Sequence, residues 1–135
     1  MKTFTLILMS VFGLIASAQA QMKFEPEISE KKRIVAATAK LKAAPGTVLV
    51  FAKGLCCESC AIGIRKKVQK LDFVDTSKPK KGIDLDAKTQ LVTIVMKKGA
   101  SVDMKALDKA IKDAGYDAVK LYELTSAKKL KSTSF

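Results

Sequence analysis

The sequence predicts an α+β fold, a ferredoxin-like βαββαβ sandwich in which an antiparallel four-stranded sheet carries two helices on one face. Three observations predict it. Apolar residues alternate with period two in some stretches and recur with helical period in others, in the order strand, helix, strand, strand, helix, strand. Turn-prone segments rich in Gly, Pro, Asp and Lys separate those stretches. The series occupies residues 47–124, enough chain to fold alone around one modest core.

Ahead of that series, residues 21–46 carry Glu25, Glu27 and Glu30, then Lys31-Lys32-Arg33, then an alanine-rich run. Ser29 is placed to cap a short helix through Ile34 and Val35. The apolar residues build no face wide enough for a core, so this stretch reads as a flexible or loosely helical leader ended by Pro45-Gly46. Residues 47–52 form the first strand, with Val48, Val50 and Ala52 on one side and Leu49 and Phe51 on the other. Ala61, Ile64, Val68 and Leu71 then recur at helical spacing opposite Arg65, Lys66, Lys67 and Lys70, an amphipathic helix of about three turns. Residues 73–76 and 83–85 read as two pieces of the second strand, separated by the polar run Ser77-Lys78-Pro79-Lys80-Lys81-Gly82. Residues 90–96 form the third strand. Ser101 is the expected cap of the second helix, whose stripe is Leu107, Ala110, Ile111 and Ala114 and whose end is Gly115. Residues 116–124 form the fourth strand, with Val119 and Leu121 inward, and residues 125–135 read as a basic, flexible tail.

Composition narrows the chemistry. The 135 residues carry 25 Lys and Arg against 13 Asp and Glu, a formal charge of +12, with no His and no Trp. The missing histidine removes the commonest general base and the commonest imidazole ligand together. The carboxylates are scattered over turns and polar faces, so an acid–base enzyme is not expected. The basic residues come in pairs without interleaved aromatics, which argues for solvated faces and against nucleic acid. Residues 1–20 have the layout of a signal peptide: Lys2, an apolar stretch over residues 4–15, and Ala18-Gln19-Ala20 before Gln21. The stretch is too short to span a bilayer and no stop-transfer segment follows, so a periplasmic or secreted protein without stable membrane insertion is expected.

All three cysteines lie in Gly54-Leu55-Cys56-Cys57-Glu58-Ser59-Cys60, between the first strand and the first helix. Cys57 and Cys60, three positions apart at a helix start, can converge on one soft metal ion or on each other. A helix N-terminus favours the thiolate that either chemistry needs, and Lys53 and Arg65 are expected to add positive potential. Two thiolates suit Cu(I) or Hg(II), whereas zinc wants four ligands and would need all three cysteines plus a carboxylate such as Glu58. The rival is an envelope thiol–disulfide oxidoreductase in which Cys57 and Cys60 cycle between dithiol and disulfide. A purely structural bridge would close too small a loop to constrain the unfolded chain much. Met96 and Met104, at the end of a strand and the start of a helix, read as packing rather than thioether ligands.

The same residues resemble the Gly-Met-x-Cys-x-x-Cys signature of heavy-metal-associated domains, a family that includes copper chaperones, modules of metal-pumping ATPases and an exported mercury-binding protein. The resemblance runs over residues 47–124 and includes Gly115-Tyr116. It implies Cys57 and Cys60 as ligands of one Cu(I) or Hg(II) ion, with Tyr116 beside the loop. It also implies a carrier or buffer that passes its ion to a metal-transporting membrane protein or another acceptor. A monomer is expected, and the three thiols leave a dimer bridged by the metal open. Three departures stand out. Leu55 replaces the usual methionine, an apolar exchange of similar volume. Cys56 fills the variable position, where a third ligand, a transfer ligand and an exposed small residue all remain open. Residues 77–82 lengthen the second strand region.

Overall fold

Strand β1 (Thr47–Lys53) is apolar on both faces, and the layers of the molecule follow from that. The computed structural model describes residues 28–57, 59 and 61–135; the expected signal peptide and the start of the leader lie outside them. Strand β1 pairs antiparallel with β3 (Leu91–Val95) on one side and β4 (Asp117–Leu124) on the other. Strand β2 (Ile83–Asp86) flanks β3 and β5 (Leu130–Ser134) flanks β4, so the sheet has the order β2-β3-β1-β4-β5. Among the described residues no helix is long and apolar enough to cross a membrane.

Helices α2 (Ile62–Val68) and α3 (Met104–Lys112) cover one face of the sheet. Val48, Val50 and Ala52 meet Ala61, Ile64, Val68, Leu107 and Ile111 there, all of them nearly or wholly excluded from solvent. The strands and helices alternate in the expected βαββαβ order. Helix α2 is shorter than its periodicity suggested, because Leu71 completes the stripe from a turn after the helix. Helix α3 is capped by Asp103, whose Oδ1 accepts the Ala106 N–H at 3.0 Å, and not by Ser101. Its hydrophobic stripe lies as expected, with Leu107, Ala110 and Ile111 buried.

The other face departs from the expectation. Residues expected to be a flexible leader form a 14-residue helix, α1 (Glu30–Ala43), packed over Leu49, Phe51, Leu91 and Tyr122 through Ala37 and Leu41. A lone helix of that length is marginal in water, so docking sustains it. The third docking residue is Arg33, 4% exposed. Its guanidinium lies 3.5 Å from the centre of the Phe51 ring. It donates to the Thr89 carbonyl at 3.1 Å, the Ile28 carbonyl at 3.2 Å and Gln90 Oε1 at 3.3 Å. Ion pairs from Glu30 to Lys120 and from Lys40 to Asp86 tie the helix to the sheet.

The expected flexible tail is also ordered. A turn over residues 125–129, closed by the Thr125 N–H on the Lys129 carbonyl, sends the chain back as β5, which satisfies the outer edge of β4. Strand β4 carries a bulge: Phe51 opposes Lys120 while Ala52 opposes Ala118, so Val119 is skipped. Leu121 therefore points into the α2/α3 core as expected, whereas Val119 faces the α1 side. The expected second strand is likewise interrupted. Residues 73–76 contribute one bridge, Val74 to Met96, and the strand resumes at Ile83. Between them the chain swings out and returns so tightly that a Cβ on Gly82 would stand 2.3 Å from the Asp75 carbonyl oxygen. Only glycine fits that return.

Candidate metal centre

The cysteine loop leaves the end of β1 and is pinned from inside. Leu55, 1% exposed, is sunk in the α2/α3 core, and its N–H donates to the Ala52 carbonyl at 3.4 Å. Leucine thus occupies the anchoring position without a cavity-making change of volume. Immediately after this anchor the chain reaches the surface: Cys56 is exposed with a free thiol, and Cys57 is half-buried. The Cys57 carbonyl accepts the Ala61 N–H at 3.3 Å, and the Ser59 carbonyl accepts the Ile62 N–H at 3.4 Å, so the loop winds directly into α2. The Ser59 hydroxyl donates to Cys57 Sγ at 3.6 Å, a contact the sequence pattern did not single out. The Cys57 sulfur is engaged in a disulfide. Cys60, the expected second ligand, and Glu58 lie outside the described residues. Among the described residues no three Cys, His, Asp or Glu side chains converge as a metal site.

Tyr116 reaches the same loop from the opposite direction. Helix α3 ends in a Schellman turn: the Gly115 N–H bonds the Lys112 carbonyl at 2.8 Å, and the Tyr116 N–H bonds the Ile111 carbonyl at 3.2 Å. Gly115 has φ +89°, the left-handed conformation this turn requires. The turn aims the Tyr116 ring at Gly54, close enough that a Cβ there would meet Cδ1 at 3.7 Å. Burial, and secondarily the charge a Cys56 thiolate would carry, hold the Tyr116 hydroxyl pKa above its ordinary value. Cys56, Cys57 and Tyr116 are therefore brought together at one end of the sheet.

Two expectations about the surroundings divide. Lys53 is exposed at the root of the loop. Arg65 instead donates to the Ile83 carbonyl at 3.4 Å and braces α2 against β2. Met96 and Met104 pack, partly buried, against the core. The end of β1 that launches the loop is held by the Ala52 N–H on the Gln90 carbonyl at 3.0 Å, in the same turn that Arg33 grips. Nothing in the hydrophobic pattern marks that buttress.

The family model of the heavy-metal-associated domain matches residues 49–117, just over half the chain. The match opens within β1 and closes just past Tyr116, so it takes in the cysteine loop, both helices of the α2/α3 face and the turn that delivers the tyrosine. Neither the curated proteins nor the solved structures contain a match. With the loop, the flanking elements and the family model in agreement, the chain belongs to the heavy-metal-associated domain family, whose members are metal-binding domains.

Proposed function

We propose that this protein is an exported carrier or buffer for one soft metal ion, Cu(I) or Hg(II), held between the thiolates of Cys57 and Cys60 and released by ligand exchange. The observation that carries the reading is the placement of the cysteines: Leu55 is locked in the core, while Cys56 one residue on is exposed and Cys57 two residues on is half-buried. An ion on such a rim can be approached by an acceptor's thiolate while the fold behind it stays still. Soft thiolates favour monovalent copper or mercury over hard cations, and no histidine competes. Lys2, the apolar stretch at residues 4–15 and Ala18-Gln19-Ala20 support export to an envelope or extracellular space. The acceptor is a metal-transporting membrane protein or another thiol-bearing acceptor, and this chain performs no catalysis of its own.

The disulfide at Cys57 favours a second reading, a thiol–disulfide oxidoreductase using the same pair. The two readings share chemistry. With Cys57 in a disulfide only Cys56 keeps a free thiol among the described residues, and an external dithiol must supply two electrons and two protons before Cys57 can bind metal. Anaerobic titration of the reduced protein with Cu(I) against a coloured chelator, repeated with Hg(II), separates them. Tight one-to-one binding, lost in Cys57→Ser and in Cys60→Ser with the fold intact, establishes the carrier. Failure to compete with the chelator, together with rapid disulfide exchange with a small dithiol, establishes the oxidoreductase. X-ray absorption then assigns Cys56: a sulfur count that drops in Cys56→Ser makes it a ligand, and an unchanged count makes it a bystander.

A further inference from the structure

At the end of the sheet opposite the cysteine loop is a half-open groove of about 900 Å³. The seven residues of β1 separate the two, about 20 Å at the rise of an extended strand. Three connections converge on the groove: the turn from α1 into β1, the segment from β3 to α3, and the β4–β5 turn. Its floor is apolar, formed by Leu41, Val48, Met96, Val102 and Leu124. Its rim carries Lys42, Lys97, Lys98 and Lys128, all exposed. The one carboxylate in the lining, Glu123, is already paired with Lys131 at 2.9 Å. Among the described residues none of the four rim lysines forms an ion pair with a carboxylate.

We propose that this groove docks an acidic peptide segment of a partner protein, with carboxylates on the lysine rim and an apolar side chain on the floor. The argument is charge complementarity within a concave shape. Scattered surface lysines repel one another and are simply solvated; here four of them, from the last turn of α1 and two connections, surround one apolar recess. Nucleic acid is a poor occupant because the lining contains no aromatic residue on which a base could stack. A bilayer is a poor occupant because a flat anionic surface cannot enter a recess. The α1 side and the β4–β5 side of the groove lie outside residues 49–117 while Met96–Val102 lie within them, so the groove forms where the flanking segments meet the metal-binding domain. The proposal is independent of which ion, if any, the cysteines carry.

The test is fluorescence anisotropy of the protein with a fluorescein-labelled hexapeptide alternating glutamate and leucine, against the same peptide with glutamine for glutamate. The acidic peptide should bind and the neutral one should not. Lys98→Glu combined with Lys128→Glu should weaken binding by roughly tenfold or more with an unchanged circular dichroism spectrum. Raising the ionic strength to about 1 M, where the screening length falls to about 3 Å, should have a similar effect. The milder pair Lys98→Gln and Lys128→Gln should fall between. Cys57→Ser should bind the peptide like the parent, which keeps this result separate from the metal reading. Equal binding of the acidic and neutral peptides, or binding unaffected by the double charge reversal, overturns the proposal. So does binding to phosphatidylglycerol vesicles without binding to the peptide.

Discussion

The two faces of the sheet are buried by different means. On the α2/α3 face, apolar side chains from four strands and two helices interlock, aliphatic but for Phe73 among the buried ones. On the α1 face, a smaller cluster of Ala37, Leu41, Leu49, Phe51, Leu91 and Tyr122 is completed by a buried arginine and an unpartnered tyrosine hydroxyl. One face is held by area removed from water, the other by a few apolar contacts plus one well-satisfied cation. The cysteine loop is anchored by Leu55 in the first core, and α1 reaches it indirectly, through β1 and the turn at Gln90.

Truncation of a central side chain on each face should break the symmetry most visibly. Ile111→Ala, at a fully buried site, should cost about 3–4 kcal/mol in global unfolding. Leu41→Ala should cost about 2 kcal/mol, because α1 can detach before the rest unfolds and the global measurement then sees no more than the free energy of its docking. Urea denaturation of both variants decides the matter. Equal losses would mean that the two faces are one cooperative unit.

The same contrast explains what could be read in advance. Helix α3 announces itself because Leu107, Ala110, Ile111 and Ala114 are apolar at helical spacing. Helix α1 buries Arg33, Ala37 and Leu41, one turn apart, and a hydrophobic pattern scores the first as polar and the second as small. Carbonyls at Ile28 and Thr89, the Gln90 side chain and the Phe51 ring face the guanidinium and let it pack in the stripe, and all of them but Ile28 are distant in sequence. One clue was present: Leu49 and Phe51 make β1 apolar on its second side, which demands a cover. Strand β5 was missed for a related reason, since Leu130, Lys131, Ser132, Thr133 and Ser134 satisfy a sheet edge with backbone bonds that composition does not display. The bulge at Val119 is set by the pairing of β4 with β1 and has no signature of its own. At the site, the burial of Leu55 and the approach of Tyr116 to Gly54 match what the resemblance implies, while the partnership of Cys57 with Cys60 falls outside the described residues. The diversion of Arg65 to the Ile83 carbonyl was not readable.

Arg33→Met sharpens the comparison at the next level. Methionine keeps most of the volume but removes the planar cation, leaving the Thr89 carbonyl and Gln90 side chain without their donor. The expected loss is about 2 kcal/mol, expressed as faster hydrogen exchange in α1 with α3 unchanged. Arg33→Lys should not restore protection, because an ammonium cannot reproduce the fork. Full rescue by lysine would show that charge alone, not geometry, holds the helix.

Tyr122→Phe tests the polar cost of the α1 face. The Tyr122 hydroxyl is buried with no hydrogen-bond partner among the described residues, and burial pushes its pKa up. Removing the oxygen should leave stability unchanged or raise it by about 0.5–1 kcal/mol. A loss beyond that, measured by thermal denaturation, would mean the hydroxyl is bonded in solution and that the α1 core is better satisfied than its geometry shows.

Acid should produce the smallest of these effects, and should loosen docking on the α1 face. The hydrogen bond and charge of Lys120 lower the pKa of Glu30 against the opposing effect of burial. At Asp86 burial opposes ionisation, but bonds from Thr89 and the Lys40 ammonium outweigh it and lower the pKa. A carboxylate more acidic in the folded state contributes stability that is fully present above its ordinary value and lost as pH falls through the folded one. The ordinary values are 4.5 for Glu30 and 3.8 for Asp86, so acidification below that range weakens both pairs joining α1 to the sheet. The carboxylate pairs of α3, Asp113 with Lys109 and Asp108 with Lys112, lie within the helix itself, and their loss does not separate it from the sheet. Hydrogen-exchange protection, corrected for intrinsic rates, should therefore fall in α1 while holding in α3. Because exposed pairs contribute little, the drop should be modest and should shrink in high salt. A parallel loss in both helices would place the acid response in the common fold and erase the distinction between the two faces.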